Sequence, residues 1–183
     1  MKLSGHIQMR VDIQNNTFFK KALNKAFPEL NASDFSGISI DSRNVKPGDI
    51  FLAFKGESTD GHNYISQAES AGASIAIIER RVETSLPSFQ TESTHKFLHD
   101  LAIAYRNHIT CPFIGITGSN GKTTTKDLLT HVLSASMKTM STKGNFNSTI
   151  GVPLSIFECN GNEDIAIIEM GASMPGEIEY ICN

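Results

Sequence analysis

The chain has 183 residues, 39% of them apolar and 19% charged, with ordinary Gly and Pro content; this supports one domain or two small ones around a buried core and excludes disordered, collagenous and coiled-coil chains. Sixteen Lys and Arg against nineteen Asp and Glu leave a net charge of −3, so no overall field favours a nucleic-acid backbone or an acidic membrane surface, although a local anion site stays open. No apolar run approaches the roughly 20 residues of a membrane helix. The start, MKLSGHIQMR, lacks the apolar stretch of a signal peptide. Cys111, Cys159 and Cys182 are too scattered for a disulfide framework or a zinc site, and they read as small hydrophobes in a reducing cytoplasm.

Residues 1–37 carry the weakest pattern. Within them Thr17 to Phe27 places Phe18, Ala22 and Ala26 on one helical face, and Pro28 ends the helix. Ile38 to Ile40 and Ile50 to Phe54 predict short strands on either side of a Pro47-Gly48 turn, where Pro sets a negative φ and Gly accepts a positive one. Asn63 to Ala71 reads as a helix closed by Gly72, and Ser74 to Ile78 as a buried strand, an order that implies a parallel pair with a crossover. Residues 79–93 are polar and turn-rich. Thr94 can cap a helix in which Phe97, Leu101, Tyr105 and Ile109 recur every fourth residue; Pro112 then breaks it. The pattern restarts with the strand Phe113 to Ile116, so the expected domains are 1–108 and 109–183. A Gly-rich loop follows, then a helix with Leu128, Leu129, Val132 and Leu133 on one side, a strand near Met137 to Met140, a helix around Ile150 to Phe157 and the strand Ile165 to Ile168. The expected fold class is α/β throughout.

The strongest chemical signal is FIGITGSNGKTTTKDLL, residues 113–129. An apolar strand runs into Thr117-Gly118-Ser119-Asn120-Gly121-Lys122-Thr123 and opens a helix. Glycines let successive backbone N–H groups converge on an anion, and the helix N-terminus adds its partial positive charge. Lys122 would neutralise β- and γ-phosphate charge and the Thr123 hydroxyl would ligate Mg²⁺. The ordinary phosphate-loop spacing is not met, because Ile116 stands where its first glycine belongs.

That departure is explained by a resemblance. Thr117 to Thr123 matches the form T-G-[ST]-N-G-K-[ST] of the Mur ligases, the ATP-dependent amide-forming enzymes of bacterial peptidoglycan synthesis. Ser39 to Ala73 is similar to the family's amino-terminal domain, which holds the uridine diphosphate end of the substrate. KGNFNSTIGVPLS (Lys143 to Ser155) and IAIIEMGASMPGEI (Ile165 to Ile178) look like the member that adds D-alanyl-D-alanine. The resemblance covers about residues 38–181. It implies a small N-terminal α/β substrate domain followed by part of a mononucleotide-binding domain, in a family whose members have three domains and are far longer.

The resemblance further implies that a carboxylate of UDP-N-acetylmuramoyl-tripeptide is phosphorylated by ATP to an acyl phosphate, which D-alanyl-D-alanine attacks. Gly118, Ser119, Asn120, Gly121, Lys122, Thr123 and Thr124 would hold the nucleotide, with Lys122 catalytic. Glu169 ends a strand, where α/β ligands sit and where a hard oxygen suits Mg²⁺; the resemblance gives it the same role, beside Thr123. Asn145 and Asn147 read from composition as a turn, and the resemblance assigns Asn147 to substrate. It also places Ser42 and Arg43, near Asp41 and Lys55-Gly56, at the uridine diphosphate. His62, after Asp60-Gly61, reads as a turn histidine satisfied by local hydrogen bonds. Two other readings remain: a ligase of the folylpolyglutamate type, and a nucleotide-sugar binding module without turnover. A chain with only these 183 residues is expected not to ligate.

Overall fold

The structure, a computed structural model, describes residues 10–30, 34–56 and 59–182. Five short strands, β1 (Arg10–Asp12), β2 (Gly37–Ser39), β3 (Ile50–Leu52), β4 (Ile75–Ile78) and β5 (Ser88–Gln90), form one sheet in that spatial order. β1 runs antiparallel to β2, and the other neighbours are parallel. A second sheet, wholly parallel, contains β6 (Phe113–Ile116), β7 (Thr139–Ser141) and β8 (Ile165–Glu169) in the order β6-β8-β7. The helices are α1 (Asn16–Ala26), α2 (Ile65–Ser70), α3 (Thr94–Arg106), α4 (Lys122–Ser134), α5 (Gly151–Ile156) and α6 (Glu177–Cys182). Among the described residues no helix is long and apolar enough to cross a membrane.

The chain divides into two compact units. The first contains the described residues up to 12 and 35–94; the second contains 13–34, where described, and 95 onward. The first unit's sheet packs Phe51, Ala53, Ala76 and Ile78 against Ile65 and Ala68 of α2. Its strands are joined through the turn read from Pro47-Gly48: the Asp49 N–H donates to the Lys46 carbonyl (3.1 Å) and Gly48 sits at φ +89°.

Under this sheet lies an ion pair that apolar patterning could not reveal. Arg10 of β1 donates from Nε and Nη2 to the two carboxylate oxygens of Asp49 at 2.7 and 2.8 Å, and both side chains are buried. Asp49 also accepts the Lys46 N–H at 2.8 Å, so the turn, the edge strand and the pair are one network. Arg10 also pairs through Nη1 with the exposed Asp12 at 2.5 Å, whereas the fully buried Asp49 carboxylate depends on the guanidinium, so removing the arginine strands a buried charge. Arg10→Ala is therefore expected to destabilise the first unit by about 3–5 kcal/mol. Denaturant unfolding would read this as a shifted midpoint, and a loss below about 1 kcal/mol would contradict the assignment.

In the second unit α1 and α3 supply the core. Asn15 caps α1 by accepting the Phe18 N–H, and the buried residues are Phe19, Ala22 and Leu23. The face is thus rotated from the expected Phe18, Ala22 and Ala26, and Phe18 instead stacks on His108. Phe97, Leu101, Tyr105 and Ile109 are buried as their spacing predicts. Tyr105 and Phe19 both meet the Phe157 ring edge-on, and the Tyr105 hydroxyl donates to the Cys159 carbonyl at 2.6 Å. The contacts therefore draw α1 and α3 into the second unit, whereas a division at 108 assigns them to the first. Periodicity reports which face of a helix is apolar, not which sheet that face covers.

Three further readings change. β1 and β5 were not expected, because each carries a single apolar residue, Val11 or Phe89, between polar ones and so shows no apolar run. Thr94 is the first residue of α3, and its hydroxyl donates to Glu79 (2.8 Å) instead of capping the helix. α4 leaves Leu128 and Val132 exposed at 63% and 64% while Leu129 and Leu133 are part-buried, so half of its expected core face is uncovered within the described residues. Cys111 and Cys159 are buried, and burial pushes both thiols above their ordinary pKa, while Cys182 is exposed.

Candidate functional site

The loop between β6 and α4 has the backbone that its glycines predict. Gly118 and Gly121 take φ of +144° and +78°, a region in which a side chain is strained. At Gly121 an added Cβ would meet nothing within 4 Å, so backbone conformation, not crowding, selects glycine. Gly121 directly precedes α4, and its carbonyl accepts the Thr125 N–H at 2.8 Å to start the helix. Ser119, Asn120, Gly121 and Thr124 are exposed. The Lys122 ammonium folds back and donates to the Gly118 carbonyl at 2.6 Å, over the loop where an anion would sit.

Sheet order sets the second half of the site. β8 lies between β6 and β7, and Glu169, its last residue, stands in register with Ile116, the last residue of β6. The carboxylate therefore emerges beside the loop that β6 feeds. Glu169 is 2% exposed. Its Oε1 accepts from the Thr123 hydroxyl at 3.1 Å and from the Asn147 side-chain amide at 2.8 Å. Its backbone N–H donates to the Thr142 hydroxyl at 3.0 Å. Oε2 is buried with no hydrogen-bond partner. Thr123 and Glu169, paired from sequence as metal ligands, are thus in contact.

An orphaned buried carboxylate oxygen next to a hydroxyl is a hard-oxygen site of the kind Mg²⁺ takes. Among the described residues no cluster of three or more His, Cys, Asp or Glu could cage a metal. Mg²⁺ usually binds through one or two carboxylates, with water and phosphate oxygens completing the shell, and Thr123 and Glu169 fit that pattern. Asn147 braces the carboxylate, and its carbonyl accepts the Gly171 N–H at 2.6 Å. Ser148 accepts the Gly151 N–H at the start of α5, a local turn role.

Two members of the cluster escaped the sequence reading. Lys126 is the buried residue of α4, with Nζ 2.9 Å from the Thr142 carbonyl, 3.1 Å from Asp127 and 4.0 Å from Glu169 Oε2. Thr142, 1% exposed, follows β7. The available signal was spacing: Lys126 is three residues after Thr123, so both lie on one helix face.

In the first unit Ser42 and Arg43 follow the carboxyl end of β2 in a short 3₁₀ turn, Ser42–Asn44. Neither side chain is idle. The buried Ser42 hydroxyl donates to Gln67 at 2.8 Å, and the exposed Arg43 pairs with Asp41, whose carboxyl this holds below its ordinary pKa. His62 is buried as a structural residue: its Nε2 accepts the Glu79 N–H at 2.9 Å, so Nδ1 carries the proton and donates to Asp60 at 2.6 Å. Burial alone would raise the Asp60 carboxyl, but hydrogen bonds from His62 and Arg80 outweigh it and hold its pKa well below the carboxylate range. Lys55 bridges to Asp60 through the backbone. Asp41, Arg43, Asp60 and Arg80 thus all follow parallel strands at their carboxyl ends.

A surface depression of about 620 Å³ runs beside β7 and is lined by Lys138, Thr139, Lys143, Glu158, Asn160 and Glu163, among others; it shares no residue with the phosphate loop or the Glu169 cluster. Shape alone therefore does not mark the site, whose loop is an open surface.

Known proteins bear on this geometry. Residues 34–106 match a family profile described as the Mur ligase family, catalytic domain, and residues 116–183 match the Mur ligase middle domain. The two matches part between 106 and 116, where the sequence pattern restarts. The chain is 40% identical over 151 residues to the UDP-N-acetylmuramoyl-tripeptide–D-alanyl-D-alanine ligase of Synechocystis, covering 81% of the chain and 33% of that protein. It is similar to a solved D-alanyl-D-alanyl ligase of Acinetobacter baumannii, with TM-score 0.78, 32% identity, and coverage of 88% of the chain and 38% of that structure. It is likewise similar to the MurF ligase of Thermotoga maritima solved in complex with ADP, with TM-score 0.73, 39% identity, and coverage of 79% and 34%. The chain spans about a third of the length of the curated relatives it matches. With both domain profiles matched in order and the loop, Lys122, Thr123 and Glu169 assembled as described, the chain belongs to the Mur ligase family.

Proposed function

We propose that these residues are the substrate-holding and phosphate-holding part of an ATP-dependent ligase that joins D-alanyl-D-alanine to UDP-N-acetylmuramoyl-tripeptide in the cytoplasm. The observation that carries the reading is the Thr123–Glu169 contact at the carboxyl ends of neighbouring strands, with Glu169 Oε2 left without a donor. Similarity to the Synechocystis ligase supports the choice of substrates.

Amide formation from a carboxylate requires the oxygen to be made a leaving group, and transfer of a phosphoryl group achieves that. Such transfer asks the protein mainly for positioning and for charge neutralisation. Here the backbone N–H groups of Gly118 to Thr123 would line the polyphosphate, and Lys122 would release Gly118 to meet its terminal oxygens. Thr123 and Glu169 would hold Mg²⁺, which draws off charge developing on the transferred group. Asn147 keeps Glu169 aimed and lies where a substrate carboxylate would approach. In the first unit Arg43 and Arg80, each already oriented by a carboxylate, would meet the diphosphate of the uridine nucleotide, with Ser42 shaping the turn beneath. In domain terms, the first unit would hold the uridine nucleotide and the second the phosphates of ATP.

Calorimetry with uridine diphosphate tests the substrate half. A folded sample should give saturable heat that Arg43→Ala reduces. No heat at millimolar ligand would count against it. The exposure of the phosphate loop favours a second reading for these residues on their own, a nucleotide-sugar binding module without turnover.

A further inference from the structure

We propose that Lys126 is the built-in counter-ion of the metal site, matching the charge of Glu169 so that the site takes a divalent cation only together with a polyphosphate. This rests on reading Thr123 and Glu169 as the metal ligands.

Lys126 Nζ faces Glu169 Oε2 at 4.0 Å, the very oxygen that lacks a hydrogen-bond donor, and the two side chains are 7% and 3% exposed. Charges that close and that buried are little screened by water or salt. The carboxylate is therefore matched electrostatically yet left geometrically open. A bare cation entering at Oε2 would meet a positive charge already in place and would gain only one carboxylate. That is a poor exchange for Mg²⁺, which sheds water reluctantly. A polyphosphate on the loop adds several negative charges and further oxygen ligands, and the balance reverses.

The ammonium is also fixed. It donates to the Thr142 carbonyl at 2.9 Å, while the Thr142 hydroxyl accepts the Glu169 N–H at 3.0 Å, so lysine, threonine and glutamate form one closed set. Asp127, its other anionic neighbour at 3.1 Å, is 66% exposed and solvated, which weakens its claim on the charge. A lysine that served only to tie α4 to the end of β7 would need the Thr142 bond alone, and its loss would lower stability without strengthening cation binding.

Electron paramagnetic resonance titration of the 183-residue chain with Mn²⁺, alone and with ADP, separates these roles. The wild-type chain should bind Mn²⁺ alone about tenfold or more weakly than with ADP. Lys126→Met should bind Mn²⁺ alone about tenfold or more tightly than wild type, Lys126→Arg should return to weak binding, and Glu169→Gln added to Lys126→Met should remove the gain. The proposal is overturned if folded Lys126→Met binds Mn²⁺ alone no more tightly than wild type. It is equally overturned if wild type binds Mn²⁺ alone as tightly as with ADP, at a site that Glu169→Gln removes; this comparison decides even where Lys126→Met fails to fold. Absence of any Mn²⁺ binding by wild type with ADP present overturns the metal-site reading itself, and the counter-ion with it.

Discussion

Lys122→Ala is expected to weaken binding of ADP and ATP by the chain about a hundredfold, or roughly 2.7 kcal/mol, and to abolish ligation in any complete ligase that carries these residues. The size follows from the contact that is lost. An ammonium on phosphate oxygens makes charge-assisted hydrogen bonds, about twice as strong as neutral ones, and nothing nearby can replace it. Lys126 is held against Thr142 and Glu169. The fold should tolerate the change, because Lys122 bonds only its own loop, at the Gly118 carbonyl, and is part-exposed. Nucleotide titration of the variant, with unfolding measured alongside, checks both halves; an affinity within about threefold of wild type would remove Lys122 from the phosphate site.

The second large effect is an absence of turnover. The 183-residue chain alone should release no phosphate from ATP in the presence of UDP-N-acetylmuramoyl-tripeptide and D-alanyl-D-alanine, even where it binds nucleotide. Ser119, Asn120, Gly121 and Thr124 face solvent, so charges aimed at a phosphoryl group would act through water, where they are weak. Among the described residues the open loop encloses no place for the attacking amine, and positioning is itself among the largest contributions to rate. The uncovered Leu128 and Val132 of α4 and the unpaired outer edge of β6 point the same way: within the described residues the second sheet is open on the side next to the loop. Substrate-dependent phosphate release by this chain would show that such covering is dispensable.

What could be read from the sequence follows from the range of each signal. The loop was legible to the residue, because Gly118, Gly121, Lys122 and Thr123 meet a local stereochemical demand that shows in a stretch of seven. Glu169 was legible because a carboxylate directly after Ile165 to Ile168 must stand at a strand end. The same kind of reasoning found the turn at Gly48 and the buried stripe of α3. It did not find Lys126, since a lysine on a helix is normally solvated, and only the sheet order places this one under a carboxylate. Arg10 was hidden for a similar reason, as its partner Asp49 is 39 residues away. Ser42 and Arg43 were located correctly on the turn after β2, but their bonds to Gln67 and Asp41 depend on side-chain packing that no spacing encodes.

The loop from Thr117 to Thr123 is expected to bind a polyphosphate together with a divalent cation at Glu169. Titration of the unsubstituted chain with ADP, with and without Mg²⁺, measures this directly and supplies the reference for Lys122→Ala. Saturable binding that Mg²⁺ strengthens in wild type, but not in Glu169→Gln, is the predicted result. A folded chain that binds no ADP at millimolar concentration, or binds it identically with and without Mg²⁺, would contradict it.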